Sequence, residues 1–257
     1  MLCYHGTPIG SVARNRKELI GRAMCLSYAW GATNESAITQ SALDLVRIAS
    51  YVLLDCGAFT LWRRGCPYDY DRVCDWYRMV RDSRPCPEVW LSVLIPDVID
   101  GGQLENDARI DRFPADLAPF GWPVWHTEEP LERLRRLAAE WGRVAIGAMG
   151  RHRAVTGPAY TARMVEMFNG LAGQRVQIHM LRGLRLAGGP FPFDSADSTD
   201  VGRNWSQTTS RLRFALDRWD RRAALTARSW HPRVTTDSLY CGVRQVTICD
   251  YLAQQAA

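Results

Sequence analysis

The chain has 257 residues, 47% of them hydrophobic, enough to bury the core of one large α/β domain. Its 32 basic and 27 acidic residues leave a net charge of +5, mild for a dedicated nucleic-acid coat and ordinary for an enzyme. No apolar run reaches the roughly 18 to 20 residues of a membrane span, and the cysteines are dispersed with no CxxC pair, so a soluble, cytoplasmic protein with reduced thiols is expected.

Short apolar runs alternate with longer amphipathic stretches. Strands are predicted at 2–5 and 23–28, followed by a helix over 36–49 whose Ala42, Leu45, Val46 and Ala49 share one face. A strand at 51–55 precedes a helix over 68–82 with Tyr70, Val73, Cys74, Tyr77 and Val80 as its apolar stripe. Strands at 89–96 and 123–126 come next, then a helix over 128–141 that opens on acids and a first-turn proline, both favourable at the positive end of a helix dipole. Strands at 144–147, 176–181 and 191–197 are separated by a helix over 158–171, and an arginine-rich closing segment runs from 201 to 225. Eight strands alternating with helices predict a single (β/α)8 TIM-type barrel over 1–257, with strands within 2–197 and a closing helical and C-terminal segment over 198–257. An open doubly wound sheet shares this alternation, because periodicity does not show closure.

Three of the runs end on aspartate. YVLLDCGAF delivers Asp55, VWLSVLIPDVID delivers Asp97, and FPFDSADSTDVGRN offers Asp194 and Asp197. In a parallel α/β fold, side chains at the carboxyl ends of strands face the ligand crevice, so these acids are the candidate catalytic and recognition groups. Gly57 and Ala58 keep the floor beside Asp55 open. Asp194 and Asp197 are three apart on an extended strand and face opposite sides, so one of them is chemical and the other structural. Ser198 or Thr199 is placed to cap the helix that follows.

VAIGAMGR and IHMLRG add glycine-bearing strand ends that match neither a phosphate loop nor a dinucleotide fingerprint. They suit backbone-lined walls for a planar base, with Gly147, Ala148, Met149, Met180 and Gly183 as candidate contacts and His126 and His179 as hydrogen-bonding groups. No metal or other cofactor is expected: His231, Cys241 and Cys249 have no recognised zinc spacing.

Together these motifs resemble the tRNA-guanine transglycosylase superfamily of (β/α)8 barrels, which exchange guanine for a 7-deazaguanine. DCGAF resembles the family's DSGGF segment, and IPDVID its base-recognition aspartate. VAIGAMG and IHMLRG are similar to its glycine-rich strand ends, and DSADSTDVGRN to its DMFDC segment with a trailing Arg203 and Asn204. The resemblance runs from about residue 2 to 205 in strand-end order. It implies Asp55 as a proton-transferring acid, Asp97 as base reader, and a covalent nucleophile at Asp197, or at Asp194 by another alignment. SADST is similar to the SVDS pattern of short phage-type relatives, which favours Asp197. The family's CxCxxC and distant His are missing, so the chain looks more like the phage-type DNA-guanine enzymes of a bacterial or phage-infected cytoplasm.

The implied partners are DNA rather than tRNA and a 7-deazaguanine base such as preQ0; Arg182, Arg185 and Arg203 would lie near phosphates, and a homodimer is allowed. Hydrolysis of a nucleoside or nucleotide N-glycosidic bond, and a non-catalytic nucleic-acid-binding barrel, are the alternative readings.

Overall fold

Parallel strands β1 (Leu2–Gly6), β2 (Ala23–Ser27), β3 (Tyr51–Asp55) and β4 (Trp90–Leu94) lie side by side in a computed structural model that describes residues 1–7, 12–31, 35–67, 69–84, 90–205 and 208–230. On the other side of β1 come β9 (Ser195–Ser198), β8 (Gln177–Met180), β7 (Arg143–Gly147) and β6 (Val124–His126). The short β5 (Gly121–Trp122) pairs with β4, and β6 pairs with β7. Only Pro123 separates β5 from β6, so the two are one strand and the sheet closes into an eight-stranded barrel.

Pro123 has no N–H to give, yet its carbonyl accepts from Ala145 N–H at 2.9 Å, while Trp122 O accepts from Ile95 N–H at 2.9 Å. Trp122 and Val124 therefore keep the two-residue alternation, and both face the barrel interior with Tyr4, Ala23, Cys25, Leu53, Leu94 and Ala145. The intervening faces of the strands, carrying Met24, Leu26, Val52, Leu54 and Val93 on one side and Val144, Ile146, Ile178 and Ala196 on the other, pack outward against the helices.

The helices are α1 (Glu35–Val46), α2 (Ala58–Arg63), α3 (Tyr70–Asp82), α4 (Gln103–Asp111), α5 (Leu131–Trp141), α6 (Pro158–Gly170), α7 (Asp200–Arg203) and α8 (Thr209–Ala224). Asp69 caps α3 by accepting from the N–H groups of Asp71 and Arg72. The expected segment 201–225 is divided into α7 and α8. Thr199 stands at the N-cap of α7 without a side-chain capping bond, and Ser198 Oγ instead accepts from Asp200 N–H at 3.1 Å in the turn before it, so neither hydroxyl caps the helix as expected.

Two helices escape the periodicity argument. α2 has six residues, too few for a stripe, and α4 buries only Asn106 and so carries no apolar face. Cys3, Cys25, Cys56, Cys66 and Cys74 are all unbridged. Among the described residues no helix is long and apolar enough to cross a membrane. The cluster His231, Cys241 and Cys249 lies outside the described residues.

Candidate active site

All the strands of the barrel deliver residues to one cavity of about 290 Å³ at their carboxyl ends. Gly6 and Thr7 follow β1, Ser27 ends β2, Asp55 ends β3, Asp97 follows β4, His126 ends β6, Gly147 ends β7, Arg182 follows β8, and Asp197 lies on β9.

Asp55 is positioned by the turn that starts α2. Gly57 takes a φ of 75° and donates its N–H to Asp55 Oδ1 at 3.0 Å. A Cβ on Gly57 would overlap Ala29, so both backbone angle and space require glycine there. Burial raises the Asp55 carboxyl pKa, and the nearby charges of Asp197 and Asp97 push the same way. The Gly57 N–H and the Ser27 hydroxyl oppose the rise without cancelling it. Asp55 thus holds its proton to a higher pH than an ordinary aspartate.

Asp97 is half of a pair. Its Oδ2 stands 2.8 Å from His126 Nε2, and the Cys56 thiol donates to Oδ1 at 3.6 Å. Burial on its own would lower the His126 pKa, but the hydrogen bond and charge of Asp97, with Glu129 behind, raise it. The unpredicted α4 holds this pair in place. Asn106 accepts from Val98 N–H at 2.8 Å and donates to Glu129 Oε1 at 3.2 Å, while Glu129 Oε2 accepts from His126 N–H at 2.8 Å. Arg133, wholly buried, donates to Glu129 Oε2 at 2.6 Å and to Asp107 at 2.8 Å. Gly147 lies under the imidazole, where a Cβ would come within 2.7 Å of His126 Cδ2.

Asp197 is buried at 7% exposure, and Arg182 N–H donates to its Oδ1 at 2.6 Å. Arg182 is the only non-glycine residue among those described with a positive φ, 54°. Its guanidinium crosses the mouth and stacks 3.7 Å from the centre of the Phe59 ring. Below Asp197, His179 Nε2 stands 3.4 Å from Oδ1, an ion-pair distance without hydrogen-bond alignment, and its Nδ1 meets Ser195 Oγ at 2.8 Å. The edges of Tyr4 and Trp122 hold the His179 ring inside the barrel.

The structure brings together Asp55, Asp97, Asp197, Gly57, Ala58, His126, Gly147, Met149, Arg182 and Arg203 as lining of one cavity. It corrects six expectations. Asp194 lies at the opposite end of β9's strand pairing, where Ile178 N–H donates to its Oδ2 at 2.7 Å and its own carbonyl accepts from Leu2 N–H, so it is a structural acid. Met180 is fully buried among the helices and accepts from the Tyr160 hydroxyl through Sδ at 3.0 Å. Ala148 packs in that same outer layer. Gly183 sits against Met180, where any Cβ would collide. Asn204 donates to Asp200 O at 2.8 Å in α7 rather than lining the cavity. Arg185, in the turn after β8, also does not line it.

Sequence reasoning missed Thr7, Cys25, Ser27, Cys56, Phe59, Arg64 and Thr199, which line the same cavity. Phe59 had a signal, as the aromatic residue four beyond Asp55. Cys25 did not: a lone cysteine in an apolar strand reads as core. Its thiol pKa is driven up by burial and by Asp197, Asp55 and Cys56.

Chemically, the cavity holds one carboxyl with a raised pKa, one that accepts from the Arg182 N–H, and one coupled to histidine, beneath a cationic rim. Comparison with known proteins finds no match: no family model, curated protein or solved structure is significantly similar to this chain.

Proposed function

We propose that the chain is a base-exchange glycosyltransferase that replaces guanine in DNA with a 7-deazaguanine through an aspartyl-glycosyl intermediate. The observation that carries the reading is the convergence of Asp55, Asp97 and Asp197, in three different environments, on one cavity at the carboxyl end of the barrel. Displacing a purine from C1′ builds oxocarbenium character, which needs a carboxylate on the sugar and a proton for the departing base.

Asp197 is the group assigned to the sugar. One of its oxygens bonds to C1′ as the bond from C1′ to N9 of guanine breaks, and Asp55 gives its proton to the departing base. The incoming 7-deazaguanine then surrenders its ring N–H proton to Asp55, and its nitrogen displaces Asp197 from C1′. Proton and carboxylate are both restored, so the cycle consumes no redox equivalent. Asp97, oriented by His126, faces the donor edge of the base, and Phe59 offers an aromatic surface to its plane.

The cavity is at the small end of ligand pockets, so one nucleotide has to be flipped out of a duplex to enter it. Arg64, Arg182 and Arg203 at its wall supply positive charge toward the flanking phosphates. DNA is preferred to tRNA because the CxCxxC motif of the tRNA enzymes is absent from the sequence.

The test is incubation of the protein with duplex DNA and labelled guanine. Incorporation of label that requires Asp197 and Asp55 supports the reading. A second reading, hydrolysis with water as acceptor, draws on the His126 and Asp97 pair as a base for water. It predicts abasic sites and released guanine with no incorporation.

A further inference from the structure

We infer that Cys3, His5 and Asp220 form a binding site for a borderline-soft divalent cation of the zinc class, tying the first barrel strand to the closing helix. The site is distinct from the catalytic cavity. Cys3 and His5 alternate with Tyr4 along β1, so when Tyr4 faces the barrel interior they face outward, onto α8.

The donor atoms of the three residues all lie within 4.8 Å of one another. Cys3 Sγ is 3.9 Å from the His5 ring nitrogens, and His5 Nε2 is 2.9 Å from Asp220 Oδ1. Zinc binds sulfur at about 2.3 Å and nitrogen or oxygen at about 2.0 to 2.2 Å, so donors around one ion stand about 3 to 4 Å apart. The Cys3–His5 and His5–Asp220 spacings fall in that range. Thiol, imidazole and carboxylate together select a transition metal over magnesium or calcium, which prefer oxygen alone.

The surroundings supply what such a site needs beyond its donors. Arg22 donates to Asp220 Oδ2 and, at 2.6 Å, to Asp217, which fixes the carboxylate and leaves Oδ1 turned toward His5. A thiolate and the Asp220 carboxylate offset the two charges of the ion, while Arg22 is matched by Asp217. Cys3 and His5 are almost fully buried, whereas the Asp220 side chain is 39% exposed, so an entry path exists and a water can complete four-coordination. On binding, the Cys3 S–H proton leaves to solvent as the bond from sulfur to metal forms, and His5 ligates through a neutral Nε2 with its proton on Nδ1.

The two ends of the described barrel are more than two hundred residues apart in sequence, and this contact closes them. A metal bound here stabilises the folded chain by mass action. The experiment uses the full chain, stripped with chelator and titrated with cobalt(II) under reducing conditions, followed by absorption and thermal melting. Expected are a thiolate-to-cobalt charge-transfer band, bleaching on addition of zinc, and a rise in Tm. The band should vanish in Cys3→Ser and persist in Cys66→Ser, and cobalt affinity should fall at least about tenfold in Asp220→Asn. A wild-type protein with no thiolate band, or a band unchanged in Cys3→Ser, overturns the site. Should Cys3→Ser fail to fold, Asp220→Asn decides, and wild-type affinity in that variant overturns it equally. None of these readouts depends on base exchange.

Discussion

The backbone N–H of Arg182 points at Asp197 Oδ1 across 2.6 Å, and it does so from a residue held at a φ of 54°. A left-handed conformation costs a non-glycine residue about 1 to 2 kcal/mol, and here it aims a donor at the proposed nucleophile while the side chain reaches Phe59. Arg182→Gly keeps the donor and relaxes the backbone, so its stability should stay within about 1 kcal/mol of wild type while affinity for DNA falls. Arg182→Pro removes the N–H and cannot adopt this φ, and should lose both stability and exchange. Denaturant melts and a DNA-binding titration on the two variants check this. Equal behaviour of the pair would mean that the N–H has no role.

Asp55→Asn separates stability from activity. A carboxyl whose folded pKa is raised contributes stability that is full below its unfolded value near 3.8 and is lost as pH rises through the folded value. At neutral pH the wild type has lost that contribution, a cost that asparagine, which does not titrate, does not carry. Asp55→Asn should melt higher than wild type at pH 7, with the difference shrinking toward pH 4, and should lose base exchange. Thermal melts across that range provide the check, and a lower Tm at pH 7 would contradict the account.

The His126 and Asp97 pair makes a prediction readable by NMR. Asp97 is what lifts the His126 pKa against a burial effect of the opposite sign. In wild type the imidazole should titrate above 6.5, and in Asp97→Asn it should fall below, because burial then dominates. The stability that His126 derives from Asp97 is correspondingly present at low pH and lost as pH rises through the raised value. Identical titration curves in the two proteins would remove the pair from the site.

Asn106→Ala tests whether α4 organises the chemistry from behind. Removing this side chain takes the Asn106 partner from the part-buried Val98 N–H and from Glu129 Oε1, while Glu129 Oε2 keeps His126 N–H and Arg133, a cost of about 1 to 3 kcal/mol. Exchange should drop through the turnover number more than through KM, because the Asp97 loop loses its anchor while the cavity wall remains. Steady-state kinetics at saturating base decides between these.

Strand ends were readable because an apolar run stopped by an acid leaves little choice of where that acid goes once the sheet is parallel. Asp55, Asp97 and Asp197 were found this way, and the alternation of a strand separated Asp197 from Asp194 once its register was known. Sequence-based reading failed where position depended on partners from distant segments. Asn106 acts through Val98 and Glu129, and α4 has no apolar stripe to announce it. Met180 and Ala148 were misplaced for the opposite reason: strand-end glycine motifs suggested a base-facing wall, but the side chains beside the glycines alternate outward into the helical layer. The outward trio Cys3, His5 and Asp220 was invisible because its third member comes from the far end of the chain.

The central claim is that Asp197 becomes covalently bound to a sugar carbon. Incubation with duplex DNA and a 7-deazaguanine base, followed by denaturing electrophoresis and mass spectrometry of the protein, tests it most directly. The account predicts a protein–DNA adduct mapping to Asp197, absent in Asp197→Asn, in which exchange falls by more than about ten-thousandfold. An adduct on another residue, or undiminished exchange in Asp197→Asn, would contradict it.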